Sequence, residues 1–347
     1  MPTVEVKRAL VRAVTRPWVA PIFTPFLRGA GAVLMLHRIA DPALGNEGHD
    51  PIILRRNLAA LRRDRREVVA LSELIRRVRE NDLGATSPIA FTVDDGYADF
   101  ATMGAPIFAE FDCPVTVFLV SGALDGPTWF WWDRITAAFR ATRRTQLVLS
   151  IGGIDHSLAW RDQTERRCAA MHVLEALKLI PDAERRCLLS LLMARLEVAL
   201  PDAPPPEFAP LSWSAARGCA RSGVTFGAHT VTHPILSRLD DAVARCEIAT
   251  SWRRLNEEAL PATDIFCYPN GEPQDFTARE PVLLRELGFT SAVTTMPGYI
   301  TAARYRGSED AAFHLPRFSF PQTEDDFTQI ASGFARAKLA LREIGLA

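Results

Sequence analysis

Two short stretches of this chain gather residues able to hold a cation and to move a proton. The first is Asp94-Asp95-Gly96-Tyr97, two adjacent carboxylates at the end of the apolar run Ile89–Val93. The second is His229-Thr230-Val231-Thr232-His233, two imidazoles four residues apart after the run Val224–Gly227. Neighbouring carboxylates repel each other unless a metal or a shared proton relieves them. Histidines at i and i+4 on one helical turn face the same side, so both can reach one ion. One aspartate with both histidines makes a two-His, one-carboxylate set, which leaves positions open for water and substrate. Either stretch alone is a weak signal. Both at strand ends of one scaffold point to a metal-assisted reaction.

The elements that position them read as an alternation of apolar strands and amphipathic helices. Strand-like runs begin near residues 33, 68, 89, 115, 224, 265, 290 and 313, about eight in all, which suits a (β/α) barrel better than an open doubly wound sheet. Helices are expected around 54–61, from Ser72 as cap towards Arg79, and at 99–110, 240–256, 280–287 and 324–344. In such folds the carboxyl ends of the strands form the mouth where chemistry sits. His37, just past the first strand, therefore either lines that mouth or serves as a structural hydrogen-bonder.

The alternation breaks between 129 and 210. An aromatic cluster, Trp129-Phe130-Trp131-Trp132, precedes a hairpin pattern at 147–151 and 156–160 around Gly152-Gly153. Two helices are expected at 162–180 and 181–200, followed by a proline-rich loop. The segment reads as an insertion in a domain spanning 31–347, forming a lid or a wall of the groove. Its tryptophans, Trp131 among them, either pack between insertion and barrel or stack on a sugar.

Composition narrows the partners. A formal net charge of −1 argues against a nucleic-acid binder driven by global electrostatics. The six cysteines show no C-x-x-C pair and sit in apolar or helical patterns, as reduced thiols do. No run of 18 apolar residues and no signal-peptide order is present, so a cytoplasmic location is expected. Residues 1–30 form an amphipathic prefix: Val6, Leu10 and Val14 share a helical face, with Lys7, Arg8, Arg12 and Arg16 around it, before Pro17, Pro21 and Pro25. It reads either as a helix capping the barrel bottom or as a peripheral contact with the inner membrane face through residues 3–28, Trp18 and Phe23 included.

Thr92-Val93-Asp94-Asp95-Gly96-Tyr97, His229-Thr230-Val231-Thr232-His233-Pro234 and Tyr268-Pro269-Asn270-Gly271 together resemble the polysaccharide deacetylase family, also called the NodB-homology or carbohydrate esterase family 4 fold. Matching motifs run from about Val33 to Pro321, apart from the insertion at 129–210. The resemblance implies a distorted (β/α) barrel that hydrolyses N-acetyl groups of a sugar polymer, oligosaccharide or glycan precursor with a divalent metal. It implies Asp95, His229 and His233 as ligands and Asp94 as the base. The backbone N–H of Tyr97 would help hold the oxyanion, Gly96 allowing the close approach. Zinc is the default metal, with cobalt, nickel or iron compatible with the same ligands. His37, Trp131, Tyr268 and Asn270 are the expected substrate contacts.

Two departures from the family pattern bear on mechanism. The arginine that usually precedes the Pro-Tyr pair is absent from Phe266–Gly271, and Leu315-Pro316-Arg317 stands where Leu-x-His is common. Arginine cannot act as a general acid at neutral pH. Arg317 is therefore expected to brace Asp94 and lower its pKa, while His314 points elsewhere. The leaving amine would take its proton from Asp94, His37 or water. Two other readings stay open: a glycan-binding protein of the same fold without turnover, and a deacylase of a different amide or ester.

Overall fold

A computed structural model describes residues 12–13, 15–16, 18–84, 87–126 and 128–343 of the chain. Its strands are β1 (Ala30–Leu36), β2 (Ile89–Val93), β3 (Val115–Leu119), β4 (Gln146–Ile151), β5 (Ile154–Ala159), β6 (Val224–Ala228), β7 (Ile265–Cys267), β8 (Ser291–Val293), β9 (Ile300–Thr301) and β10 (Phe318–Ser319). β10, β1, β2, β3 and β6 pair in parallel in that order, with Leu34, Phe91, Val115 and Val224 in register across four strands. β1, β2 and β3 are buried throughout, as expected of parallel strands covered on both faces. Bridges Phe226↔Ala262 and Val293↔Leu315 join the parallel β7–β8 pair to β6 on one side and to the chain entering β10 on the other. The result is a distorted (β/α) barrel.

The stave count differs from the sequence expectation. Residues 68–71 make a single parallel bridge, Val68↔Ile89, because Leu71 already begins the helix Leu71–Glu80. Leu71, Leu74, Ile75 and Val78 recur with helical spacing and pack with Val33, Ala90 and Phe118, closing the barrel interior from below. Ala70 is the N-cap, so Ser72 sits inside the first turn rather than capping it. The last run is also shorter than expected. A 3-10 turn takes Ala311–Phe313, and β10 spans two residues after Pro316, which has no N–H to give a ladder. The closing helix divides at Gly333 (φ 93°) into Glu324–Ser332 and Phe334–Glu343. A Cβ at Gly333 would lie 2.7 Å from the Phe23 carbonyl oxygen, so glycine permits the close approach of the N-terminal segment.

Val6, Leu10 and Val14 of the expected amphipathic prefix lie outside the described residues. Ala20–Leu27 is a 3-10 helix whose Phe23 meets Phe334 edge-on. Trp18, Ile22 and Phe26 remain 72%, 66% and 47% exposed.

Between β3 and β6 the chain builds a layer with its own core. Gly152 and Gly153, both at positive φ, turn β4 into β5, the mirror-image turn that matches strand twist. The buried side of β4 joins the helices Trp131–Ala141, Gln163–Lys178 and Asp182–Leu196 around Phe139, Leu149, Trp160, Val173, Leu177 and Leu192.

Candidate active site

The two aspartates stand where β2 ends. Asp94 donates its N–H to the Leu36 carbonyl, continuing the ladder, and the chain then turns through Asp95 (φ 71°) and Gly96 (φ 78°). Aspartate tolerates this left-handed region better than most residues. At position 96 a Cβ would also lie 2.6 Å from Leu119 Cδ2. Both carboxylates are buried.

The two histidines follow β6 on a loop rather than on the helical turn that their spacing suggested. Thr230 and His233 are left-handed (φ 67° and 55°), and Pro234 disfavours helix at the residue before it. Thr230 Oγ1 accepts the His233 N–H at 3.0 Å. The Glu247 carboxylate accepts the N–H groups of Val231 and Thr232 at 2.8 and 2.9 Å, fixing the loop's outer side.

This loop brings both rings onto Asp95. Oδ1 of Asp95 lies 3.5 Å from His229 Nε2 and 3.4 Å from His233 Nε2, and one ligand atom from each of the three residues falls within 4.8 Å of the others. Zinc–ligand bonds of about 2.0–2.1 Å in tetrahedral array put ligand atoms roughly 3.3–3.4 Å apart, so the separations fit a shared cation. His229 Nδ1 donates to the Cys267 carbonyl at 2.7 Å, which fixes the ring and turns Nε2 towards Asp95. His233 is pushed down to about 3 by burial and by the neighbouring His229, so it is a neutral imidazole, while Cys267, Asp95 and Asp94 hold His229 well above its usual value, a proton that a cation on Nε2 would displace.

Asp94 faces a different neighbour. Arg317, fully buried, donates from its two terminal nitrogens to Asp94 Oδ1 and Oδ2 at 2.8 and 2.7 Å. It also donates to the Thr294 carbonyl at 2.9 Å, to Thr92 Oγ1 at 3.0 Å and to Cys267 Sγ at 3.2 Å. Burial alone would raise the Asp94 pKa, but the guanidinium outweighs it and holds the carboxyl well below the usual carboxylate range. Asp94, His229 and Cys267 form a second cluster with suitable ligand atoms. There the arginine already supplies the positive charge, and burial keeps the Cys267 thiol protonated, so the Asp95 cluster suits a cation better than this one. His314 donates from Nδ1 to the Asp310 carbonyl at 2.8 Å and packs on Phe276, away from the cluster.

A cleft of about 370 Å³ opens over these groups. Its lining includes every expected substrate contact: His37 at the exposed rim, Trp131, Tyr268 and Asn270. Tyr268 stacks on Phe276 at 4.1 Å, and neither its hydroxyl nor Asn270 Nδ2 has a partner among the described residues. The Tyr97 side chain turns away from the cleft into the insertion. Its hydroxyl donates to Asp133 Oδ2 at 2.7 Å and accepts from Trp132 Nε1 at 2.8 Å. Its backbone N–H has no acceptor among the described residues.

Trp132, one of the tryptophans expected either to pack or to stack on a sugar, lies edge-on to His233, centroids 4.5 Å apart. Other lining residues escaped the sequence reading. The insertion helix contributes Met171, Leu174, Glu175 and Lys178. The signal was present, since 171, 174, 175 and 178 form one helical stripe, yet a stripe of that kind is ordinarily read as packing. Cys267 and Thr92 carried no such signal.

Residues 185–292 match the family described as polysaccharide deacetylase. No curated protein matches the chain. Among solved structures it is similar to the Streptococcus pyogenes deacetylase PplD in complex with acetate, with TM-score 0.56, 16% identity and coverage of 88% of this chain and 99% of that one. It is similar to IcaB from Ammonifex degensii, with TM-score 0.53, 16% identity and coverage of 88% and 97%. A de-N-acetylase from Aggregatibacter actinomycetemcomitans gives TM-score 0.53 at 12% identity over 87% and 99%. The matched segment contains His229, His233, Tyr268 and Asn270, and the fold surrounding it is that of these structures. Residues 185–292 thus carry the pattern of the polysaccharide deacetylase family, and the fold around them is the one these deacetylase structures share.

Proposed function

We propose that the chain is a metal-dependent hydrolase that removes N-acetyl groups from a sugar polymer, an oligosaccharide or a glycan precursor. The observation that carries this reading is Asp95, His229 and His233 converging on one point with the Arg317-braced carboxylate of Asp94 beside them, at the floor of a cleft. These three residues would hold the cation, by default Zn²⁺. When bound it would acidify a water and polarise the acetyl carbonyl.

The chain's own groups supply the rest. Asp94 accepts the proton of the attacking water. Arg317 engages both its oxygens and Cys267 Sγ also donates to Oδ2 at 3.4 Å, yet Oδ1 keeps a further lone pair, so bracing and proton acceptance are compatible. The low pKa keeps Asp94 ionised at every physiological pH and makes it a ready donor once protonated. The leaving amine then takes its proton from Asp94, from His37 at the rim or from water. The unpartnered Tyr97 N–H stabilises negative charge on the acyl oxygen, and Tyr268 and Asn270 offer donors to the sugar. At the other end of the chain, Trp18, Ile22 and Phe26 stand exposed with Arg16 over Trp18, which supports peripheral contact with an anionic membrane surface.

Metal analysis joined to an acetate-release screen over N-acetylated sugars tests the proposal. The expected result is close to one metal per chain, lost in His233→Ala, with acetate release abolished in Asp94→Asn at unchanged metal content. Bound metal without acetate from any sugar would move the reading to a glycan binder or a different acyl substrate.

A further inference from the structure

The catalytic cleft does not end at the metal cluster. A second hollow of about 190 Å³ shares Met171 and Leu174 with it, so the two meet along the inner edge of the helix Gln163–Lys178. Three guanidinium groups, Arg140, Arg166 and Arg167, line this hollow with a single carboxylate, Glu47, from the loop after β1. Two positive charges therefore have no match among the groove's own lining residues. Glu47 already shows what the site grips. Its carboxylate accepts from Arg140 at 3.2 Å and from Arg167 at 2.9 Å, while its side chain is 67% exposed. An ion pair that exposed contributes little to stability and is readily exchanged.

We propose that this groove is a subsite for a carboxylate on the sugar next to the one being deacetylated, so that the preferred substrate is an acidic, uronate-bearing glycan. The inference rests on the deacetylase reading of the adjoining cleft. The incoming carboxylate displaces Glu47 and takes its two arginines, with Arg166 adding a third positive charge. Paired guanidinium groups suit this exchange because each presents fixed donors to a planar carboxylate. The apolar edge of Met171 and Leu174 carries the sugar ring from one hollow to the other.

Calorimetric titration of the metal-loaded full chain with two probes tests this: a hyaluronan tetrasaccharide, in which glucuronate alternates with N-acetylglucosamine, and neutral chitotetraose. The expected result is binding of the hyaluronan fragment on the order of tenfold tighter at low salt, shrinking towards parity at high salt. Arg140→Ala with Arg167→Ala should abolish the difference and leave chitotetraose unchanged, while Glu47→Gln should strengthen hyaluronan binding. These side chains are exposed, so the variants should fold as the parent does, which a thermal melt checks. Equal affinity for the two probes, failure of the hyaluronan fragment to bind, or a difference that survives in the arginine variant would overturn the proposal. Acetate release from chitotetraose reports separately on the deacetylase reading. Preference without release keeps the acidic subsite and removes the chemistry; release without preference does the reverse.

Discussion

Replacing Arg317 with alanine isolates the contribution of the brace. The guanidinium is 0% exposed and makes five polar contacts, two of them to the buried carboxylate of Asp94. Removing one partner of a buried ion pair costs about 3–5 kcal/mol, and orphaning the Thr294 carbonyl adds about 1 kcal/mol or more. The expected loss at pH 7 is therefore roughly 4–6 kcal/mol, a large part of the 5–15 kcal/mol typical of a domain. The pH dependence carries the sharper signature. In the parent, Asp94 has a folded pKa below its unfolded value, so its contribution is present above about pH 4 and lost as pH falls through the folded pKa. In the variant only the weaker pull of His37 and His229 is left against burial, so the pKa rises and stability falls as pH rises above about 4. The gap between the two proteins must therefore narrow as pH drops from 7 towards 4. Chemical denaturation at both ends of that range, with metal content and acetate release on the same samples, measures it. Turnover should fall by about 10²-fold or more, while metal stays bound because Arg317 touches none of its expected ligands. If the variant loses less than about 1 kcal/mol at pH 7, or the gap is the same at both pH values, the bracing argument fails. Arg317→Lys, which keeps the charge without the fork, should recover stability more than activity.

Two further predictions concern groups outside the metal cluster. Burial raises the Asp133 carboxyl to about 7 against the pull of Tyr97 and Arg38. A raised folded pKa makes this group's contribution fully present below about pH 4 and progressively lost up to about pH 7, so Asp133→Asn should gain on the parent by about 1.4 kcal/mol per pH unit across that window. Melting curves from pH 4.5 to 8 would show a constant offset if the reasoning is wrong. Vesicles rich in anionic lipid should carry the full chain upward in a flotation gradient and lose it when Trp18, Ile22 and Phe26 are changed to serine; equal flotation with neutral vesicles argues against the contact.

The chemistry-bearing ends of β2 and β6 were legible because buried parallel strands are written as short apolar, β-branched runs that stop abruptly on polar residues. The hairpin at Gly152-Gly153 and the helix following Pro181 were legible for equally local reasons of turn and first-turn chemistry. What failed were four- to six-residue runs that fit two periods. Leu71 belongs to a helix, not to the strand it seems to end, and the two histidines share a hydrogen-bonded loop, not a helical turn. The pairing of Arg317 with Asp94 was anticipated from the motif it replaces. Its contacts with Thr92, Cys267 and the Thr294 carbonyl were not, since they join residues of four separate barrel staves and no local pattern records them.

The layer around Phe139, Leu149 and Leu192 is held by its own apolar interior rather than by that of the barrel. Such a division gives one chain two thresholds of cooperative opening. One rim of the cleft can loosen while the carboxylates and imidazoles stay locked in the other body. Amide exchange should then fall into two classes, with the helix Gln163–Lys178 opening at lower free energy than β1 or β2. Under the proposed function, variation in that helix would be free to retune which glycan is held without disturbing how its acetyl group is removed.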